Sequence, residues 1–132
     1  MVMPEEFNKL CVLVEFMPLE GSVPCEPFSG MVLNIHVCLL AHVDREDEKL
    51  CVIVPFGDFE GGELVLSDLG LVFDLKNRDM LVFRSDILVH FNLKVRKGFR
   101  GSFVLSSDSH LNNFLNRMKQ LKATNQIVSL QQ

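Results

Sequence analysis

The chain has 132 residues, 48% hydrophobic and 23% charged, with a formal net charge of −4 and a pI near 5.5. That length suits one domain able to bury most of its apolar surface, and the balance excludes a disordered polar chain. The acidic charge speaks against a protein that holds nucleic acid through phosphate contacts alone, and no membrane partner is expected, because Asn34, His36 and His42 break the longest apolar run well short of the ~18 residues a span needs.

Acid follows the first residues, at Glu5 and Glu6, where a secretory signal carries base, so an intracellular protein is expected. Cys11, Cys25, Cys38 and Cys51 include no Cys-x-x-Cys pair, which argues against a structural zinc or a disulfide framework and suits a reducing compartment. Pro4 followed by two glutamates opens a helix, and Phe7, Leu10, Cys11 and Val14 keep helical spacing. Pro18, Gly21, Pro24, Pro27 and Gly30 then mark a loop.

From 31 to 106 the pattern is that of strands. Apolar runs at 31–40, 51–55, 63–66, 71–75, 80–83, 87–90 and 101–105 alternate with turn signals such as Gly61-Gly62, Asn77-Arg78-Asp79 and Lys97-Gly98. Many short strands at near-regular spacing predict a mainly β sandwich or barrel, of which a jelly roll is the version that pairs two small sheets. Lys94, Arg96, Lys97 and Arg100 form either a local positive rim or a solvated hairpin end. Beyond 106 the period becomes helical: Asp108 or Ser109 caps a helix whose stripe of Leu111, Phe114, Leu115, Met118 and Leu121 covers the barrel or binds a partner. The expected organisation is an N-terminal helix and Pro/Gly-rich loop over 1–30, a barrel core over 31–107, and a C-terminal helix and tail over 108–132.

His42-Val43-Asp44 places an imidazole and a carboxylate two residues apart, and on an extended strand both point to one face. His90 lies near the end of a later predicted strand. Two histidines and one carboxylate make the facial triad that holds a metal from one side and leaves the other open. Arg100 opens the strand that follows, and its guanidinium fork suits a bidentate carboxylate contact. Ser102, on the same face, adds a hydroxyl donor. His36 and His110 read as bystanders, although His36 shares a face with Asn34 and Cys38.

These residues, with Gly57-Asp58-Phe59-Glu60-Gly61-Gly62-Glu63-Leu64-Val65-Leu66, Asp68-Leu69-Gly70-Leu71, Asp79-Met80-Leu81-Val82-Phe83-Arg84-Ser85 and Arg100-Gly101-Ser102, resemble the Fe(II)/2-oxoglutarate-dependent dioxygenases. Within that superfamily the chain is most similar to the fungal group allied to the TET/JBP oxygenases, which oxidise 5-methyl groups on pyrimidines in DNA. The resemblance covers about 31–107 and implies a double-stranded β-helix with flanking helices. It implies Fe(II) on His42, Asp44 and His90, and 2-oxoglutarate on that metal with its distal carboxylate on Arg100 and Ser102. It also implies O2 as co-substrate, release of succinate, methylated DNA as a partner, and a nuclear or cytoplasmic location. Asn77-Arg78-Asp79 stands where relatives tend to have Pro-Gly-Asp.

Arg84, Asn92 and Asn34 are the candidates for substrate contact. Arg84 touches a substrate phosphate or base, or else pairs with Asp86 or Asp79. Asn92 shares a strand face with His90 and orients a ligand, or serves a turn. Relatives place helices and further strands ahead of the His-x-Asp strand, and here a short Pro-rich stretch stands there, so a truncated chain is expected. Two other functions stay open at this point: a protein side-chain hydroxylase of the prolyl type, and a non-catalytic barrel serving as an interaction domain. Oligomeric state is not legible.

Overall fold

The computed structural model describes residues 3–15, 23 and 25–129; Pro18, Gly21 and Pro24 of the expected loop lie outside the described residues. Helix α1 (Pro4–Glu15) begins at the proline, with Glu5 and Glu6 in the first turn, where the helix dipole favours acid. Its inner face differs from the stripe read in the sequence. Leu10 and Leu13 are buried, whereas Phe7 is exposed. They pack with Leu115 of helix α2 (His110–Ser129), flanked by Phe28 and Leu111. The α2 stripe therefore meets α1, and Phe114 and Leu121 stay exposed. Asp108 caps α2 by accepting the His110 N–H at 2.8 Å.

Strands β1 (Gly30–Ile35), β2 (Leu50–Phe56), β6 (Leu81–Arg84) and β9 (Gly101–Ser106) form an antiparallel sheet in the order β1-β9-β2-β6. Strand β4 (Leu64–Leu66) runs between β5 (Leu71–Phe73) and β7 (His90–Asn92) in a smaller sheet. The two sheets face each other across Cys51, Ile53, Leu64, Leu66 and Phe83, with Phe73, Leu75, Leu81, Leu88 and Val104 packed around them. This is the mainly β, double-stranded β-helix architecture with flanking helices that the sequence predicts. Leu64 is fully buried, and its truncation to alanine would cost about 2–5 kcal/mol. Strand β1 forms one edge, and Met31, Val32, Leu33 and Ile35 remain exposed there.

Three departures from the sequence reading have local causes. The predicted 31–40 strand stops at Ile35 because His36 takes a left-handed φ of 51°. The predicted 87–90 strand begins only at His90, since 85–87 form a turn. A two-stranded antiparallel sheet of β3 (Phe59–Gly61) and β8 (Val95–Gly98) occupies stretches that read as turn and charged loop. Its charges hide its strand character and also hold it together: Arg96 pairs with Glu63 at 2.8 Å and Lys97 with Glu60 at 3.2 Å. These pairs, together with the burial of Arg100, remove much of the positive rim.

Candidate metal centre

His42 lies outside the named strands, in an isolated antiparallel bridge with His90, so the spacing of His42 and Asp44 is not set by a strand as the sequence predicts. Backbone bonds set it instead. The His42 N–H donates to the His90 carbonyl at 3.1 Å, and the His90 N–H donates back at 2.9 Å. The Asp44 N–H donates to the Ser85 carbonyl at 2.9 Å.

Both imidazoles are oriented alike. His42 Nδ1 lies 2.8 Å from the Leu40 carbonyl and His90 Nδ1 lies 2.9 Å from that of Leu88. A carbonyl only accepts, so each Nδ1 carries a proton, and Nε2 is the ring nitrogen available to a metal. The two Nε2 atoms face the Asp44 carboxylate, His42 at 3.5 Å from Oδ1 and His90 at 3.3 Å from Oδ2. One ligand atom from each of the three residues falls within 4.8 Å of the others, and theirs is the grouping of that kind found among the described residues. Phe83 packs edge-on against the His90 ring at 5.0 Å between centroids, walling the inner side.

The outer side opens into a cavity of about 610 Å³, a size that suits a small-molecule site. Asn34 of β1, Asn92 of β7 and Ser102 of β9 line it together with His42, Asp44 and His90. Asn34 and Ser102 are register partners across β1 and β9, which aims both at the same space. Asn92 donates to the Gly62 carbonyl at 3.3 Å. Arg84 is not brought to this cavity: its guanidinium grips Asp86 with two bonds of 2.7 and 2.6 Å.

Arg100 immediately precedes β9 and is 2% exposed, with its guanidinium 5.5 Å from the centre of the Phe59 ring. Burial lowers its pKa from the ordinary guanidinium value. Its Nε and Nη2 are buried without a hydrogen-bond partner. A buried cation with free donors is costly unless an anion meets it. Arg100 is not among the residues that line the cavity, although Ser102 two positions on is. Its free donors have the chemistry to take a carboxylate such as the distal one of 2-oxoglutarate, and two imidazole nitrogens with one carboxylate fit a divalent iron.

Sequence reasoning missed Asp47, Ser85 and Gly62. Ser85 is fully buried and donates to Asp47 Oδ2 at 2.6 Å. A signal for it existed: two residues after Phe83 on an inward-facing parity, a hydroxyl needs a buried partner. Gly62, which reads as turn chemistry alone, has a φ of 73° and lies against the Arg100 side chain.

No protein-family model matches the chain, and no curated protein matches it. Among solved structures it is similar to NgTET1 in complex with 5mC DNA, with a TM-score of 0.69 and 17% identity over 86% of this chain and 50% of that one. It is also similar to an oxidoreductase of the 2OG-Fe(II) oxygenase family from Burkholderia pseudomallei, with a TM-score of 0.52 and 24% identity over 58% of this chain and 40% of that one. The chain thus spans half or less of the structures it matches. The fold is that of the 2OG-Fe(II) oxygenases and of TET-type proteins among them. None of the described helices is long and apolar enough to cross a membrane.

Proposed function

We propose that this chain is an Fe(II)/2-oxoglutarate-dependent dioxygenase that oxidises a methyl group on a nucleobase of the 5-methylcytosine type. The observation that carries this reading is the His42, Asp44 and His90 cluster, together with a buried Arg100 that has free donors. The likeness to a TET protein bound to 5mC DNA supports the substrate class. In the overall change, the methyl carbon becomes a hydroxymethyl. One oxygen atom of O2 enters that hydroxyl and the other enters succinate, while 2-oxoglutarate loses CO2.

His42, Asp44 and His90 would hold the iron, which with 2-oxoglutarate supplies the oxidising power. The chain's own part is placement. The Leu40 and Leu88 carbonyls fix both rings, so no reorganisation is needed when the metal arrives. Arg100 and Ser102 would take the distal carboxylate of 2-oxoglutarate. Ile53, Val104 and Cys51 on the cavity wall exclude water. The amides of Asn34 and Asn92 present donors and acceptors suited to the edge of a base. Methylated DNA would be the macromolecular partner, and a nuclear location goes with it.

Anaerobic titration of the protein with Fe(II) and 2-oxoglutarate should give a weak visible charge-transfer band that disappears in His42→Ala and Asp44→Ala. A band that survives both substitutions would defeat the assignment. Oxidised methylcytosine, read by mass spectrometry after incubation with methylated DNA, O2 and both cofactors, tests the substrate. Product on a peptide library instead would move the reading to a protein hydroxylase.

A further inference from the structure

We infer that Ser85 is a positioning residue for Asp44, acting through Asp47; the inference rests on the metal-site reading above. Residues 43 and 44 belong to no strand, so no ladder holds the Asp44 carboxylate in register. A closed ring of three hydrogen bonds does so instead. The Ser85 carbonyl accepts the Asp44 N–H at 2.9 Å, and the Asp47 N–H returns to the Asp44 carbonyl at 2.9 Å. The Ser85 hydroxyl completes the ring by donating to Asp47 Oδ2 at 2.6 Å. One residue therefore grips the Asp44 loop at two points.

Ser85 is a rigid anchor. It is 0% exposed, and it follows directly on β6, whose Phe83 braces the His90 ring. Leu88 N–H closes the turn behind it onto the Arg84 carbonyl at 3.0 Å. The same segment thus supports two of the three metal-facing side chains. Without the hydroxyl, the loop keeps its backbone anchors at His42, Asp44 and Glu46, but the Asp47 side chain no longer closes the ring, which spreads the positions of the Asp44 carboxylate. An oriented donor set binds a metal more tightly than a mobile one, because less order is lost on binding.

The test uses the full chain and Mn(II) alone, with affinity read by electron paramagnetic resonance titration and the donor geometry by the visible spectrum of bound Co(II). Ser85→Ala and Asp47→Ala should each weaken Mn(II) about 10–100-fold and shift the Co(II) bands, with the far-UV circular dichroism unchanged. The double variant should be no weaker than Asp47→Ala, because that substitution already removes the Ser85 bond along with the Asp47 contact to Ser106. Asp47→Asn should stay close to wild type, since its side-chain oxygen still accepts the Ser85 hydroxyl.

Wild-type affinity in Ser85→Ala, or additive losses in the double variant, would overturn the role of Ser85. A loss in Asp47→Asn equal to that in Asp47→Ala would also overturn it, by showing that Asp47 acts through its charge. Should Ser85→Ala fail to fold, the comparison of Asp47→Ala with Asp47→Asn tests the same bond from its other end. Absence of Mn(II) binding in the wild type, or full binding by Asp44→Ala, would sink the metal reading itself and the role of Ser85 with it. Tight, Asp44-dependent binding that ignores Ser85 would sink the positioning role alone.

Discussion

His42 and His90 are tied together through their backbones, each donating its N–H to the other's carbonyl at 3.1 and 2.9 Å, and their rings stand 4.5 Å apart. The spacing of positions 42 and 90 is therefore a property of the main chain and survives loss of either ring. His90→Ala should consequently fold and keep the bridge, yet lose metal-dependent stabilisation. With Mn(II) at a hundredfold excess over its Kd, the wild type should gain about 2.7 kcal/mol in chemical denaturation. His90→Ala should gain almost nothing, and a gain equal to that of wild type would exclude the ring as a ligand.

Arg100 sets stability against binding. Its Nε and Nη2 are buried and unpartnered, so the protein without ligand bears the cost of desolvating them. Arg100→Met keeps an unbranched apolar stem, two atoms shorter than the arginine, and removes the charge. It should raise the stability of the ligand-free protein by about 1–3 kcal/mol in urea titration. It should also abolish the thermal shift that 2-oxoglutarate gives the metal-loaded wild type. A variant less stable than wild type and still stabilised by 2-oxoglutarate would contradict both halves.

The barrel is legible in the sequence because its core strands are short apolar runs bounded by turn residues, and the side chains that meet between the sheets lie at alternate positions. Cys51 with Ile53 and Leu64 with Leu66 are alternate residues on single strands, and all four reach the core. The β3–β8 pair is not, because Arg96 and Lys97 read as solvent-facing charge until their partners Glu63 and Glu60 are brought beside them. Residue types and order are enough to name the triad, yet the geometry that unites it comes from a bridge and a turn outside the strands. Ser85 and Asp47 are far apart in the chain and meet only once β6 is seated against the Asp44 loop, so their pairing has no local signal. Asn77-Arg78-Asp79 reads as a turn, and within it Arg78 takes a left-handed φ of 71°.

The Arg84 fork on Asp86 predicts a pH dependence. That hydrogen-bonded pair holds the Asp86 carboxyl below the usual carboxylate value. A carboxyl depressed in the folded state stabilises fully above its unfolded pKa of about 3.9, and the contribution is lost as pH falls through the lower folded value. Thermal midpoints measured from pH 6 down to pH 2 should therefore fall more steeply in wild type than in Asp86→Asn. The two should differ most at pH 6 and converge at the acid end. Parallel curves would mean that the pair contributes nothing to folding.

Gly62 links the turn to Arg100, the proposed seat of the 2-oxoglutarate carboxylate. Its φ of 73° is left-handed, and a Cβ there would lie 2.7 Å from Arg100 Cδ and 3.0 Å from Arg100 Nε. Gly62→Ala should therefore do two separable things. Backbone strain should lower stability by about 1–3 kcal/mol, and displacement of the guanidinium should weaken 2-oxoglutarate binding to the metal-loaded protein about 10–100-fold. Gly70 is the internal control, because its φ of 61° carries similar strain while a Cβ there meets nothing within 4 Å. Gly70→Ala should lose stability by about 1 kcal/mol and bind 2-oxoglutarate as wild type does. Equal loss of binding in both alanine variants would trace the effect to general destabilisation. Loss confined to Gly62→Ala would trace it to the seat of Arg100.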